Sequence, residues 1–280
     1  MPTIYTSLAQ AEKTLAKTNV PNPRIDAEWI LAEVLHCTRP VLYLNPHQTL
    51  SAEQSQTFGD LIHRRAQRIP LQHLLGQTEF YGLPFCTSPA ALIPRPDTET
   101  LIEIVLKRAP NHPTILDIGT GSGIIAITLA KSLPQARVIA TDISSQALQL
   151  ARQNARLNRV SDRITFLQTN LLSPLNTSFD IITSNPPYIP TNDINLLEPE
   201  VRTHDPILAL DSGPDGLDFY RQIIPASAPL LLTNGFLVLE IGHNQAQQVS
   251  HILAQQSDLG HIGVQTDLSG SPRVVFAQKI

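Results

Sequence analysis

The 280-residue sequence contains little cysteine, no long apolar run and no strong excess of one charge. Its two cysteines, Cys37 and Cys86, are 49 positions apart, which indicates neither a disulfide framework nor a metal site. No stretch reaches the roughly 18 apolar residues that a membrane span needs, and residues 1–5 lack the regions of a signal peptide. We therefore expect a soluble, cytoplasmic protein with free, buried thiols, no bound metal and no membrane association.

The charge distribution speaks against a general nucleic-acid binder. The net charge is -4, and residues 1–75 carry seven Lys or Arg against six Asp or Glu. Subtracting these from the totals of 20 and 24 leaves thirteen against eighteen for residues 76–280. Because neither part is a basic arm or patch, we expect no direct binding to nucleic acid.

Residue patterning divides the chain into three parts. Residues 1–75 are predicted to form a small helical bundle, in which Ser51 and Gln54 form a capping box at the start of one helix. Residues 76–94 predict a β-hairpin linker. In residues 95–280, strand-like runs alternate with helical patterns, so we predict an α/β domain with a mostly parallel sheet and a closing antiparallel hairpin. The five strands predicted before that hairpin are 114–117, 137–142, 163–168, 179–184 and 236–241.

A glycine-rich turn follows the first strand of this alternation. It consists of Gly119, Thr120, Gly121, Ser122 and Gly123. Such a turn lets a ligand touch backbone amides at the start of the next helix. The third glycine comes too early for the dinucleotide fingerprint, which makes NAD less favoured. The spacing is similar to the first motif of class I S-adenosylmethionine (SAM) methyltransferases, and SAM is therefore the expected cofactor.

Two further strand ends add candidate cofactor contacts. Asp142 ends the second strand, nineteen residues after Gly123, where a carboxylate can accept both ribose hydroxyls of an adenosine. Asn170 and Leu171 follow the third strand, where related enzymes often place an acidic residue and then an apolar one beside adenine. Asn170 departs from that pattern, whereas Leu171 matches it.

The fourth strand runs directly into Asn185, Pro186, Pro187 and Tyr188. The prolines fix the backbone, so the Asn185 side-chain oxygen and the Pro186 carbonyl can converge as two hydrogen-bond acceptors. A planar NH2 group is a poor nucleophile because its lone pair is delocalised. Two acceptors, with Tyr188 packed on the planar group, would orient that lone pair and stabilise the developing positive charge. We predict Asn185, Pro186 and Tyr188 as catalytic residues, and all four as substrate-binding residues.

The chain resembles the HemK-like, PrmC-type family of peptide chain release factor glutamine N5-methyltransferases over nearly all its length. Besides the two motifs above, the resemblance is carried by residues 70–76, 80–83, 92–99, 215–221, 267–270 and 273–274. It implies a class I methyltransferase fold with a seven-stranded sheet. It also implies that residues 1–75 help to dock release factors, and that the methyl acceptor is the glutamine of their Gly-Gly-Gln motif. The resemblance further places SAM contacts on Gly119 to Gly123, Asp142, Leu171 and Asn185.

Other readings of the same motifs stay open. The tetrapeptide also suits adenine-N6 methylation of DNA or RNA, and N5-glutamine methylation of a ribosomal protein. A catalytically silent SAM-binding module is a further alternative. The stretch Arg95-Pro96-Asp97-Thr98-Glu99 favours release factors over ribosomal proteins, although the residues themselves assign no role to Arg95 or Glu99.

Two polar groups are interpreted as structural. His204 and Asp205 follow the tetrapeptide closely and are assigned a satisfied structural role. Arg64, Arg65 and Arg68 are predicted to form a solvated helix face.

Overall fold

The computed structural model describes residues 1–170 and 177–280 and contains two compact units. The first comprises residues 1–77 and 198–204, and the second comprises residues 78–197 and 205–280. The domain boundaries 1–75, 76–94 and 95–280 stay predictions. Patterning did not indicate that residues 198–204 belong with the N-terminal helices.

The helices and strands of the described residues are numbered in chain order. The helices are α1 (Ile4–Ala16), α2 (Pro23–Val34), α3 (Arg39–Leu44), α4 (Ala52–Ala66), α5 (Leu71–Leu75), α6 (Glu99–Arg108), α7 (Ile124–Ser132), α8 (Ser145–Leu157), α9 (Pro199–His204), α10 (Asp218–Ser227) and α11 (Ala246–Ala254). The strands are β1 (Gln77–Phe80), β2 (Leu83–Cys86), β3 (Thr114–Ile118), β4 (Arg137–Asp142), β5 (Ile164–Gln168), β6 (Phe179–Ser184), β7 (Leu231–Glu240), β8 (Leu259–Thr266) and β9 (Pro272–Lys279).

The first unit is a helical bundle with its own apolar core. Helices α1, α2 and α4 contribute its centre, where Leu15, Ile30 and Leu31 are fully buried. The predicted capping box is confirmed, because the Ser51 hydroxyl accepts from the Gln54 N–H while the Gln54 side chain accepts from the Ser51 N–H.

The prediction of a solvated arginine face on α4 is wrong for two of its three members. Arg64 is exposed, but Arg65 is only 5% exposed. Its guanidinium pairs with Asp26 at 2.7 Å and with Glu200 of α9 at 2.9 Å. Arg68 donates two hydrogen bonds to the same Glu200 carboxylate. The arginines are drawn inwards because the acids that they neutralise are themselves largely buried.

The second unit is built on one seven-stranded sheet within the described residues. Its order is β5-β4-β3-β6-β7-β9-β8, and β9 runs antiparallel to both of its neighbours while the other pairs are parallel. Helices α6, α7 and α8 cover one face, and α10 and α11 cover the other. The predicted mostly parallel sheet with an antiparallel C-terminal hairpin is confirmed.

The sheet topology places the two main motifs side by side. From β3 the chain builds β4 and β5 on one side, and from β6 it builds β7 on the other. Strands β3 and β6 pair in parallel, so their last residues, Ile118 and Ser184, lie opposite each other. Ligands of such sheets bind at this switch point, outside the carboxyl ends of the strands.

Strand β7 begins earlier than the predicted 236–241. It starts at Leu231 and contains an irregularity in its pairing with β6. Asn234 and Gly235 indicate a turn in the sequence, and Asn234 does adopt a positive φ of 65°. The strand continues through this irregularity because Leu231 still pairs with Phe179 of β6.

No helix in the described ranges has both the length and the apolar character needed to cross a membrane.

Candidate active site

The glycine-rich turn is anchored from below by Asp117, the buried fourth residue of β3. Its carboxylate accepts from the Thr120 hydroxyl at 2.6 Å and from the Thr183 hydroxyl at 3.2 Å. Burial raises the pKa of Asp117 to about 7, although these two hydrogen bonds oppose the shift. Asp117 therefore joins the loop after β3 to the strand that precedes the tetrapeptide, a link that its position in the motif did not reveal.

Asp142, at the end of β4, closes the other side of the turn. Its Oδ2 accepts from the Gly121 N–H at 2.9 Å, and its Oδ1 accepts from the Ser144 N–H at 2.8 Å. The Ser144 hydroxyl caps α8 by accepting from the Ala147 N–H. Each Asp142 oxygen keeps a second lone pair, so the carboxylate can hold the loop and still accept from a ligand.

One cavity of about 370 Å³ lies over the switch point. Most of the predicted site residues line it together: Gly119, Thr120, Gly121, Ser122, Asp142, Asn185, Pro186 and Pro187. Asn170 also lines it. The structure therefore brings the glycine loop, the β4 carboxylate and the tetrapeptide to one space.

Two predicted residues do not line the cavity, and a third is not described. Gly123 is not among the described residues lining the cavity; it caps the start of α7 with a φ of +86°, and an added Cβ would lie 2.8 Å from Ile127 Cδ1. Tyr188 also lies outside that lining, and its carbonyl oxygen accepts from the Gln245 side chain at 2.8 Å. Leu171 lies outside the described residues. The roles assigned to these three stay predictions.

The Asn185 side chain is held by two groups that patterning missed. Its Nδ2 donates to the Thr98 hydroxyl at 3.2 Å. The Thr98 hydroxyl in turn donates to Glu240 Oε2 at 2.6 Å. Thr98 and Glu240 are 0% and 1% exposed, so these bonds are shielded from water. The signal for Glu240 was an acid at the end of an apolar strand, as for Asp142.

Burial raises the pKa of Glu240 to about 7. The Thr98 hydroxyl opposes this shift, and the nearby Asp97 carboxylate adds to it. Near neutral pH this carboxyl group is thus close to its midpoint of ionisation. Burial likewise raises the pKa of Tyr188 to about 12, so its phenol stays protonated.

The structure gives physical roles to the stretch 95–99, which sequence reasoning could not interpret. Arg95 pairs with the buried Asp205 at 3.2 Å, and Asp97 pairs with Arg273 at 3.0 Å. The Tyr81 N–H donates to the Glu99 carboxylate at 3.3 Å. With these flanking contacts, Thr98 is fixed between Glu240 and Asn185. Asp205 Oδ2 is thus paired with an arginine, but Oδ1 is buried with no hydrogen-bond partner among the described residues, so the satisfied structural role is met only in part.

Gln245 fixes the loop that contains Tyr188, a role that no sequence motif indicated. Its Nε2 donates to the carbonyls of Tyr188 and Gly216, and its Oε1 accepts from the Gly242 N–H. One buried amide therefore connects the end of the tetrapeptide to the segments after β7 and before α10.

The cavity fits an adenosine-containing cofactor such as SAM. Its volume lies within the roughly 300–1,000 Å³ usual for small-molecule sites. At Gly119, whose φ is +68°, nothing lies within 4 Å of an added Cβ, so the backbone faces open space there. The Asp142 carboxylate retains acceptor capacity for a ribose diol. Among the described residues, no cluster of three or more His, Cys, Asp or Glu could hold a metal ion.

Solved structures with the same fold are methyltransferases. The hMettl16 catalytic domain, in complex with a MAT2A 3'UTR hairpin, is 19% identical with a TM-score of 0.58, covering 79% of this chain and 80% of that one. A methyltransferase from Pyrococcus furiosus is 16% identical with a TM-score of 0.54, covering 71% and 90% of the two chains. The fold and the site together define a class I SAM-dependent methyltransferase.

Curated relatives identify the family. A release factor glutamine methyltransferase from Moorella thermoacetica is 43% identical and covers 99% of both chains. One from Geobacter sulfurreducens is 47% identical, covering 84% of this chain and 82% of the relative. Family models for the PrmC N-terminal domain and the methyltransferase small domain match residues 6–76 and 96–197. The chain belongs to the release factor glutamine methyltransferase family, whose methyl donor is SAM.

Proposed function

We propose that this enzyme transfers a methyl group from SAM to the side-chain amide nitrogen, N5, of the glutamine in the Gly-Gly-Gln motif of peptide chain release factors. The observation that carries the proposal is the orientation of Asn185. Its Nδ2 donates to the Thr98 hydroxyl, which leaves Oδ1 as an acceptor at the cavity. The names of the curated relatives support the release factor as substrate.

The chemistry follows from the acceptors of the tetrapeptide. Bound SAM supplies an electrophilic methyl group on a positively charged sulfur. Asn185 Oδ1 and the Pro186 carbonyl accept the two hydrogens of the glutamine NH2 group and fix its orientation. They also stabilise the positive charge that develops on nitrogen. One N–C bond forms as the S–C bond breaks, and the surplus proton leaves to water, with no covalent enzyme intermediate.

The glycine loop and Asp142 would hold the cofactor. The backbone of Gly119 and Gly121 faces the cavity, and Asp142 presents acceptors for the ribose hydroxyls. We propose that Leu171 flanks the adenine and that Tyr188 packs against the glutamine amide during the reaction.

A protein is favoured over a nucleic acid as substrate. Residues 1–75 have a near-neutral charge balance and the remainder is net acidic, whereas an extruded base needs a positive groove around it. We propose that residues 1–75 dock the release factor, which places the enzyme in the cytoplasm with its substrate. The match of residues 6–76 to the family's N-terminal model supports this assignment.

The test is methyl transfer from labelled SAM to purified release factor. The matched control is a release factor whose Gly-Gly-Gln glutamine is replaced, and a ribosomal protein fraction and duplex DNA are assayed beside it. Label on the wild-type factor alone supports the proposal. Label on both factor variants, on the ribosomal proteins alone or on DNA alone would contradict it.

A further inference from the structure

A buried hydrogen-bond chain ends on the Asn185 amide. Glu240, at the carboxyl end of β7, accepts from the Thr98 hydroxyl at 2.6 Å, and the same hydroxyl accepts from Asn185 Nδ2 at 3.2 Å. Thr98 and Glu240 are 0% and 1% exposed, and Thr98 also lines the cavity.

The direction of each hydrogen bond follows from the number of hydrogens. A threonine hydroxyl has one hydrogen, and here it is donated to the carboxylate. Thr98 can therefore only accept from Asn185, so it must face the NH2 end of that amide. Nδ2 is therefore the end of the amide that is held by Thr98, and Oδ1 is left as the acceptor at the cavity that Asn185 lines.

We propose that Glu240 is a positioning residue, which acts with Thr98 to keep the Asn185 side-chain oxygen, and not its NH2 group, turned towards the methyl acceptor. This inference rests on the proposed function, because it gives Asn185 an acceptor role. An amide rotated by half a turn would present its NH2 group to the glutamine NH2 group, and two donors would then oppose each other. Asparagine alone has no strong preference between these two orientations.

The ionisation state of Glu240 determines how strongly one orientation of the Asn185 side-chain amide is favoured. As a carboxylate it only accepts, so it favours the NH2 end of Asn185. When it is protonated it also carries a donor, which suits the reversed amide. The groups that act on it are Asp97, Arg273 of β9, Tyr188 and Tyr220 of α10. Burial keeps the pKa of Glu240 at about 7, so the change falls within an accessible range.

The kinetic test compares three variants with the wild type in methyl transfer to release factor. Removing one preorganised group from a site costs about 10²–10³ in rate, and a partly misoriented amide should cost less, so we expect kcat of Glu240→Gln to fall about tenfold. Thr98→Val should lose a similar factor, whereas Thr98→Ser should keep nearly full activity. SAM affinity, measured by calorimetry, should stay within about twofold in all three, because these substitutions leave the glycine loop and Asp142 unchanged.

The pH profile separates positioning from a general loss of structure. Wild-type kcat should fall on the acid side with a midpoint near the Glu240 pKa of about 7. Because a glutamine side chain does not titrate, this limb should be absent in Glu240→Gln.

A second readout needs neither cofactor nor turnover. In protein labelled with ¹⁵N at asparagine side chains, the Asn185 resonance is assigned by its loss in Asn185→Ala. Its shift should titrate with a midpoint near pH 7 in the wild type and stay flat in Glu240→Gln. If Glu240→Gln does not fold, the wild-type titration and the comparison of Thr98→Val with Thr98→Ser still test the positioning role.

The outcomes distinguish this inference from the function on which it rests. An active wild type with an unchanged kcat in both Glu240→Gln and Thr98→Val overturns the positioning role, and so does an Asn185 resonance that does not titrate. Absence of methyl transfer by the wild type overturns the proposed function, whereas the ¹⁵N titration still reports whether Glu240 sets the amide.

Discussion

Asn185 shows how a side chain gains a direction that its sequence position does not specify. The motif indicates an amide at the end of β6, but only Thr98 and Glu240 determine which end of that amide faces the cavity. These two residues are 87 and 55 positions away in the chain, in segments that patterning did not connect to the site. Sequence reasoning could therefore place the acceptor without explaining its orientation.

The substitution Asn185→Ala should reduce turnover without abolishing SAM binding. Truncation removes one of the two proposed acceptors, and we expect kcat to fall by about 10²–10³. SAM binding should persist, because the glycine loop and Asp142 are untouched. Single-turnover methyl transfer and calorimetry measure the two effects separately, and wild-type turnover in this variant would refute the assignment of Asn185.

A second residue-scale prediction compares two glycines of the same turn. Both have positive φ, so an alanine at either position is strained, at a cost of roughly 1 kcal/mol. At Gly123 the new Cβ would also lie 2.8 Å from Ile127 Cδ1 and 3.1 Å from Ala151 Cβ, adding about 1–3 kcal/mol of overpacking. Gly119→Ala meets no such contact, but its Cβ enters the cavity.

The two glycine variants should therefore separate stability from cofactor binding. We expect Gly123→Ala to lose more stability than Gly119→Ala, measured by denaturant unfolding. Gly119→Ala should lose mainly SAM affinity. Equal stabilities together with equal affinities would contradict the packing role of Gly123.

At the scale of elements, helix α9 is attached to the first unit through charge. Glu200 receives hydrogen bonds from Arg65 and Arg68, and the three groups are largely buried. Burial opposes ionisation of Glu200, but the Arg68 and Arg65 guanidiniums outweigh it and keep the pKa below its usual value. The stabilisation is thus present above about pH 4.5, the ordinary glutamate pKa, and is lost as the pH falls below it.

The corresponding prediction concerns Glu200→Ala. Removing one partner of a buried ion pair leaves the arginine charges uncompensated, so we expect a loss of about 3 kcal/mol in the free energy of unfolding near neutral pH. The control is Glu33→Ala, on an exposed position of α2, which should change stability by less than about 0.5 kcal/mol. Indistinguishable urea transitions for the two variants would argue against this role.

Local patterning predicted most elements that position the site, and its failures have physical causes. The ends of β4 and β6 coincide with the predicted strands, because apolar runs and the residues after them are local signals. The early start of β7 was missed because Asn234 and Gly235 look like a turn when the pairing with β6 is unknown. The placement of residues 198–204 depends on the pairing of Glu200 with Arg65 and Arg68, which no local pattern contains.

At the scale of the whole molecule, buried acids couple protonation to folding. Burial raises the pKa of Asp117 and Glu240 to about 7 and that of Asp205 to about 6. Between the usual carboxyl pKa of about 4 and these raised values, the folded protein binds more protons than the unfolded chain. The contribution of these groups to the stability of the folded state is therefore fully present at low pH and is lost as the pH rises through about 7.

Because of this linkage, the difference in the free energy of unfolding between the wild type and Asp117→Asn should depend on pH. In cofactor-free protein, the wild-type free energy of unfolding should decline relative to that of the variant as the pH rises from about 4 to about 7. The other ionisable groups are common to both proteins, so their contributions cancel in this difference. Parallel stability curves over that range would mean that Asp117 does not titrate as described.

We propose that the cavity presents two hydrogen-bond acceptors to the NH2 group of a glutamine. Tandem mass spectrometry can locate the transferred methyl group on the release factor after reaction with the wild type and with Asn185→Ala. We expect one methyl group on the side-chain nitrogen of the Gly-Gly-Gln glutamine with the wild type and almost none with the variant. A methyl group on another residue or atom, or equal modification by both enzymes, would contradict it.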